Sequence, residues 1–484
     1  MIAQTNNAPQ TPPRPSRFLR AIPADQAVDS HGVLLHCVRE PRLGQVSQRT
    51  SQLALNFGLP LFGAPKIVFN PVLLPIDDGQ VVLLIGPSGS GKTTALQAIA
   101  RQLPGAVSME RGTFSADPAI IDGIAPWATV EEAASLLTAC GLGEPHLWLR
   151  RFEELSDGEK FRARLARALA LQSRAGSVGA LLCDEFCSAL HTRVARAIGC
   201  NLRKLVKQRN LRVVLATTRQ DLRTALRPHV VVRFDGRGGC AVYRAPQAAG
   251  TASFRRRVVI EPGGVRDYRA FAAMHYRQGD ELGFVDKVFV LRDGPRGDLL
   301  GIVVYAHSPL HLAMRNRALG AQSPRTPQAV NRRFRILRRL VIHPDVRGCG
   351  LGHHLVRRTL PHVGTRYVEC LAGLGALNPV FEKAGMERIG QYALSSRQQA
   401  ALRALADAGV DPLGRDFVWQ VSRQPRVRAI VARVVYDWYA STTGGGESRV
   451  ARQSPATLAH LFRGLIGSRP VYYLWRRGEG GKKR

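Results

Sequence analysis

The chain is poor in acidic residues: Asp plus Glu number 36 against 69 Lys plus Arg, a formal charge of +33 over 484 residues and a pI near 11.1. So strong a deficit points to polyanionic partners, nucleic acid first, because each phosphate met by Lys or Arg releases condensed counterions. Drift of composition toward arginine and attraction to anionic membrane surfaces are the alternative explanations. Long hydrophobic runs are missing as well. Stretches such as Val81 to Ile85 have core-strand length, far below the roughly 20 residues that span a bilayer. Cysteine pairs are absent too: Cys37, Cys140, Cys183, Cys187, Cys200, Cys240, Cys349 and Cys370 contain no C-x-x-C. That argues against a disulfide framework and a structural zinc site, and fits a reducing cytosol. Met1 to Ile22 is polar, basic and Pro-rich without an apolar centre, so it does not read as a secretory signal. The expected location is cytoplasmic.

What is present is ordinary globular sequence, 45% hydrophobic and 22% charged, long enough for two to four domains at roughly 100–200 residues each. The expected division is a disordered basic arm over 1–30, a first α/β domain over 31–246, a linker over 247–255, a second, mixed-sheet domain over 256–395, a helical extension with a final strand over 396–476, and a basic tail over 477–484. In the first domain, β-branched runs at Val81 to Ile85, Gly179 to Cys183, Arg212 to Ala216 and Val230 to Phe234 alternate with helical patterns at Thr93 to Arg101, Asp157 to Leu171 and Arg193 to Gln208. In the second, strands are expected at Arg256 to Ile260, Lys287 to Leu291, Leu299 to Tyr305, Leu340 to His343 and Tyr367 to Leu371, with a basic insertion at Met314 to Arg333. Helices of a C-terminal insertion or extension are expected at Ser396 to Ala408 and Val427 to Tyr439, and a last strand at Val471 to Trp475 would return to the second sheet.

Between the first strand and first helix of that rhythm stands Gly86-Pro87-Ser88-Gly89-Ser90-Gly91-Lys92-Thr93-Thr94. Strand, glycine turn and helix are the setting of a P-loop: its glycines let backbone N–H groups face phosphates, with Gly86, Ser88, Gly89, Gly91 and Thr94 among the candidate nucleotide-binding residues. Lys92 reaches the outer phosphates and Thr93 offers a hydroxyl to Mg2+. Downstream, Leu181-Leu182-Cys183-Asp184-Glu185 ends a strand in two carboxylates, Asp184 suited to the metal and Glu185 to polarising the attacking water. Between them lies Leu155-Ser156-Asp157-Gly158-Glu159-Lys160, which resembles the LSGGQ signature of ABC ATPases in order and position.

That resemblance implies an ABC-type domain that binds and hydrolyses ATP with Mg2+ and forms a nucleotide-dependent homodimer, in which Ser156 and Gly158 would meet the γ-phosphate across the interface. Departures from the family pattern are His191 in place of the D-loop Asp, Thr218 in place of the switch His, and no clear Q-loop glutamine between Thr94 and Leu155. That interval is short for a transporter subunit, so a membrane partner is not expected. Phe57 is a candidate to stack on adenine, with Phe62 competing and a core role open.

A second glycine turn, Leu340-Val341-Ile342-His343-Pro344-Asp345-Val346-Arg347-Gly348-Cys349-Gly350-Leu351-Gly352, is also strand, turn and helix, with R-x-x-G-x-G spacing. Its N–H groups from Arg347 through Gly348 and Gly350 to Gly352 suit a pyrophosphate at a helix start. Asn378-Pro379-Val380-Phe381-Glu382-Lys383-Ala384-Gly385 follows one strand later, and the pair resembles the acyl-CoA motifs of GNAT acyltransferases. The resemblance implies acetyl-CoA or another acyl-CoA, held by Arg347 to Gly352 and beside Ile342, with Asn378 and Phe381 on the later helix. Many members carry a tyrosine acid where Phe381 stands, so His275 and Tyr276 are the candidate acid and base, or simply a packed helix end. The second domain also shares a His-Tyr dipeptide and a basic insertion with the Mom-related GNAT proteins that modify DNA adenines. Arg332, Arg333, Arg335, Arg338 and Arg339 would then guide phosphates, or form a solvated face.

Three functions follow from the two resemblances. The first is an ATP-dependent acyltransferase on nucleic acid bases. The second is a protein or small-molecule acetyltransferase switched by the ATPase. The third is an ATP-gated assembly factor with a degenerate transferase.

Overall fold

The computed structural model describes residues 20–21, 32–39, 46–60, 66–175, 179–245, 254–256, 258–274, 282–442, 446–467 and 469–478. Two seven-stranded sheets organise them. The first runs in the order Arg20–Ala21, Cys240–Arg244, Val230–Phe234, Val81–Ile85, Arg212–Thr217, Ala180–Cys183, Val107–Ser108. Its five central and far strands are parallel, and Cys240–Arg244 and Arg20–Ala21 extend it antiparallel. Val81 to Ile85 are all buried, as a central parallel strand covered on both faces requires. One face packs on Leu165, Leu169, Ile198 and Leu202 of the helices Asp157–Ala175 and Thr192–Arg209. The other packs on Ala95, Leu96 and Ile99 of the helix Lys92–Gln102. A separate antiparallel pair, Gly32–Arg39 with Lys66–Pro75, lies beside that second face through Leu35, Phe69 and Leu74.

The second sheet runs Val259–Gly263, Val285–Arg292, Leu299–His307, Phe334–Ile342, Tyr367–Ala372, Val471–Arg476, Glu387–Gln391. All neighbours are antiparallel except Phe334–Ile342 with Tyr367–Ala372. That parallel pair is joined only from Phe334 to Leu337, so the strand from Arg338 onward leaves its neighbour and the sheet opens. A register shift between Val304 and Tyr305 leaves Arg338 as an extra residue in the same strand, a bulge that re-aims the chain where the strands part. The helix Leu351–Thr359 covers one face and the helix Val265–Ala272 the other.

Expectation and structure differ at two strand starts. The strand expected at Leu340 to His343 begins six residues earlier, at Phe334, because Phe334, Ile336 and Leu337 are buried under the insertion and the core rather than forming a basic approach to it. The strand expected from Arg256 starts at Val259. The helical segment is an insertion, one of the two forms expected: helices from Ser396 to Gly467 surround their own core of Leu405, Phe417, Val431 and Phe462, and Val471–Arg476 then enters between two strands of the second sheet. Among the described residues no helix is long and apolar enough to cross a membrane.

Candidate functional site

The first glycine turn joins Val81–Ile85 to Lys92–Gln102, and Gly86 to Thr94 hold the order read from the sequence. Gly91 has φ of 97°, and a Cβ there would come within 2.6 Å of Val68, so only glycine lets the turn close. Ser88 and Gly89 are exposed at the rim. The Lys92 ammonium donates to the carbonyls of Gly86 (3.0 Å) and Pro87 (2.6 Å), folded over its own loop. Burial lowers its pKa, while Asp184 and Glu185 favour the charged form. The Thr93 hydroxyl donates to Asp184 Oδ2 at 2.6 Å, bringing together the two oxygen donors assigned to Mg2+. A hydroxyl and a carboxylate suit a cation that keeps most of its shell for water and phosphate. Ser90 Oγ is buried in the same turn without a partner.

Glu185 is exposed and adopts a left-handed backbone, φ 46°, followed by Cys187 at 57°. Strain of this kind, roughly 1–3 kcal/mol per residue, persists where the surroundings hold it. Here they do so through a residue the motifs did not single out. Arg219 donates to the carbonyls of Cys187 (3.2 Å) and Leu190 (2.6 Å), to Thr192 Oγ1 (3.0 Å) and to Asp221 (2.9 Å). It thereby clamps the segment after Glu185 to the residues following Thr218. His191 caps the helix Thr192–Arg209, its Nδ1 accepting from Arg193 N at 3.4 Å. Ser156 lies exposed at the start of the helix Asp157–Ala175, and its N–H donates to Glu159. Gly158 packs near Leu190. Among the described residues no hydrogen bond joins Ser156 or Gly158 to the loop at Lys92. Phe57 ends the helix Gln48–Phe57, 71% exposed, and Phe62 lies outside the described residues.

The second glycine turn meets the first domain. Arg347, expected beside a phosphate, instead points its guanidinium to the carbonyls of Ile342 (2.9 Å), Met274 (2.8 Å) and Gly143 (3.4 Å) and pairs with Glu144 at 3.4 Å. Its desolvation lowers its pKa, which Glu144 opposes. Gly348, with φ of 80°, is needed for a different reason from phosphate binding: a Cβ would sit 2.5 Å from the Thr138 carbonyl. Lys204 donates to Cys349 O at 3.3 Å, Arg193 pairs with Asp298 and Asp345, and Ala197 and Cys200 belong to the same buried cluster as Val346, Cys349 and Leu351. The helix Thr192–Arg209 therefore begins on the segment held by Arg219 and runs against the second glycine turn.

Beyond that contact, Gly350 caps the helix Leu351–Thr359 in a left-handed conformation, and Gly352 packs against Val380 and Ile342. Arg255 lies against His353 there. Burial first, then Arg255, Lys383, Arg357 and His354, push His353 down to about 4; every charged neighbour acting on it is a cation. Such a helix start suits an anion. Asn378 is exposed before the helix Val380–Ala384, while Phe381 is buried and 5.3 Å from the ring of Tyr473. Tyr473 donates to Gly375 O and to Glu382, both at 3.1 Å, and burial first raises its pKa, so it stays protonated. No local motif signals this residue; it arrives from 92 positions beyond Phe381 because the last strand inserts into the sheet.

His275 and Tyr276 lie outside the described residues. The arginines of the insertion separate. Arg332 is exposed and Arg338 is exposed at the bulge. Arg333 stands over Phe334 and Tyr367, Arg335 pairs with Asp286, and Arg339 donates to Tyr268. They form no single basic track.

Residues 69–187 match the ABC transporter family. The sulfate/thiosulfate import ATP-binding protein CysA of Yersinia pseudotuberculosis is 30% identical over 255 residues, 44% of this chain and 68% of that protein. The lipoprotein-releasing system ATP-binding protein LolD 1 of Rhodopirellula baltica is 30% identical over 200 residues, 34% of this chain and 84% of that protein. Among solved structures, the dimeric bacterial ABC transporter cassette MJ0796 covers 38% of this chain and 93% of its own, at 18% identity and a TM-score of 0.31.

Proposed function

The chain belongs to the ABC family of ATP-binding proteins through its first half, and from that premise we propose that its ATPase cycle drives an acyl-CoA-dependent transferase built on the second sheet. As an ABC ATPase it binds ATP with Mg2+, the cation neutralising phosphate charge. Thr93 and Asp184 would hold the cation, Lys92 would exchange its loop carbonyls for the phosphates, and Glu185 would orient water. Two copies would close so that Ser156 and Gly158 of each face the loop of the other. His191 and Thr218, standing where the family pattern has Asp and His, favour a slow cycle suited to switching.

The transferase reading is supported by the order and direction of the second sheet, by its opening after Leu337, and by the cationic helix start under Arg255 and His353. The acyl-CoA supplies the activated thioester. Gly350 and Gly352 would admit its pyrophosphate, and the hydroxyl of Tyr473, whose ring centroid is 5.3 Å from that of Phe381, would serve as the acid that the later helix lacks. The observation that carries the joint function is the helix Thr192–Arg209, anchored by Arg219 at one end and packed on Cys349 along its length. The +33 charge supports nucleic acid as the acceptor.

The test is mass spectrometry of nucleosides from cells expressing wild type, Lys92→Ala and Gly350→Glu forms. An acylated nucleoside present only with the wild type is expected. Acylation that persists in both variants refutes the scheme.

A further inference from the structure

Resting on the reading that Glu185 orients the attacking water, we infer that Arg219 is a positioning residue for ATP hydrolysis: its guanidinium, aligned by Asp221, fixes the backbone segment that carries Glu185. Glu185 stands two residues beyond the strand Ala180–Cys183, where the chain turns sharply. It and Cys187 have φ of 46° and 57°, a region that residues with side chains seldom occupy. Without restraint the segment would relax and swing the carboxylate away from the nucleotide loop. Ser188 closes the turn locally, its N–H and its Oγ both donating to Glu185 O, at 3.0 and 2.9 Å. Those bonds shape the turn and leave its place against the rest of the site open.

The residues from Ala216 to Asp221 supply that place. Phe186 N donates to Ala216 O at 2.8 Å, and the buried Thr217 hydroxyl donates to Phe186 O at 3.1 Å. The same hydroxyl accepts from Arg219 N at 3.1 Å. Arg219 then completes the hold with every nitrogen of its guanidinium. Nη1 donates to Cys187 O and Leu190 O, Nη2 to Thr192 Oγ1 and Asp221 Oδ2, and Nε to Asp221 Oδ1 at 3.2 Å. The paired contact of Nε and Nη2 with one carboxylate sets the plane of the fork, so that Nη1 is aimed at the two carbonyls. That hydrogen bonding also holds the Asp221 carboxyl below its ordinary range, and Arg196 lies 3.9 Å from it.

Arginine is suited to this task because its donors diverge from a rigid plane, whereas a lysine ammonium offers three from one point. The two positions that depart from the family pattern give no equivalent tie. His191 Nδ1 accepts from Arg193 N, and Thr218 is exposed. Among the described residues neither side chain is hydrogen-bonded to residues 184–188. In hydrolysis the water oxygen bonds the γ-phosphorus, and the bridge to the β-phosphate breaks with its electron pair on the β-phosphate oxygen. One water proton stays on the released phosphate, and the other passes by way of Glu185 to solvent. Arg219 makes and breaks none of these bonds; it acts through where it puts Glu185, and a misplacement of about 1 Å at such a group is enough to cost about 10²-fold in rate.

The experiment follows phosphate release by the full chain against ATP concentration. Affinity for a non-hydrolysable ATP analogue and the melting temperature control for binding and folding. Arg219→Ala should lower kcat about 10²-fold while KM and analogue affinity stay within about threefold of wild type. On a Glu185→Gln background the same substitution should lower the rate no further, because a residue acting through Glu185 has nothing left to place; independent effects would multiply. Arg219→Lys should regain part of the rate, and Asp221→Asn, which spares the carbonyl bonds, should lie between Arg219→Lys and wild type. A folded Arg219→Ala chain with wild-type kcat, or losses that multiply on the Glu185→Gln background, overturns the assignment. If Arg219→Ala does not fold, Arg219→Lys and Asp221→Asn decide: wild-type kcat in both overturns it, and lowered kcat with analogue affinity held upholds it. Wild-type hydrolysis by Glu185→Gln fails one step earlier, at the reading of Glu185 itself.

Discussion

Glu185 is held in a left-handed backbone with its side chain exposed, so its replacement should change chemistry more than fold. Glu185→Gln is expected to bind ATP normally and to lose hydrolysis on the order of 10²-fold or more, read by phosphate release. Hydrolysis within a few fold of wild type would show that the water is oriented elsewhere. A second residue-scale prediction concerns His229, whose Nδ1 accepts from Val81 N at the start of the strand leading to Lys92. Burial first and Arg203 second lower its pKa from 6.5 to about 4. The unfolded chain therefore takes up the proton before the folded one. The stability contributed by neutral His229 is complete above pH 6.5 and declines as pH falls toward about 4. His229→Gln, which keeps an acceptor without a titrating ring, should flatten the fall of Tm between neutral and mildly acidic pH. An unchanged slope would assign the acid sensitivity to other groups. The positions of the first glycine turn and of Asp184 and Glu185 at strand ends were legible because they depend on neighbours within a few positions. Arg219 was not, since its partners are carbonyls of Cys187 and Leu190, which any sequence supplies.

Among the elements, the insertion between Leu299–His307 and Phe334–Ile342 shows how composition misleads. Arg332 and Arg333 at its end suggested a path for phosphates, whereas Arg315 within it is fully buried against Glu369, with contacts of 2.5 and 3.0 Å. It also donates to Pro309 O and Leu310 O and lies over Phe334, while Tyr472 donates to the same carboxylate at 2.8 Å. Arg315→Met would strand Glu369 in the core. The expected loss is about 3–5 kcal/mol, read as a lower urea midpoint. Arg315→Met with Glu369→Leu should recover much of that loss, because the buried charge is gone; equal loss in single and double variants would mean that packing, not charge, is responsible. The strand Val471–Arg476 teaches a related lesson. Its aromatic, β-branched run marked it as a strand, but its place between Tyr367–Ala372 and Glu387–Gln391 is set by hydrogen bonds across about a hundred residues of chain.

On the scale of the whole molecule, the helix Thr192–Arg209 contributes to the core beside the first sheet and packs on the second glycine turn. Lys204→Ala and Glu144→Ala remove contacts to Cys349 O and Arg347 without touching the nucleotide loop. They are expected to preserve ATP hydrolysis and basal thiol release while abolishing the increase in thiol release on adding ATP; retained stimulation would refute coupling by this route. The linear chain determined the two strand–glycine turn–helix motifs, the alternating α/β rhythm and the excess of positive charge, since each depends on local spacing or on composition alone. Tertiary structure alone decided what those parts face. Arg347 and Gly348 meet Glu144 and the Thr138 carbonyl, Ser308 is left unpaired in a cavity, and Arg315 is neutralised in a core. The reason is physical: a backbone motif carries its own hydrogen-bonding geometry wherever it is placed, whereas burial, pairing and desolvation belong to surfaces brought together from distant segments.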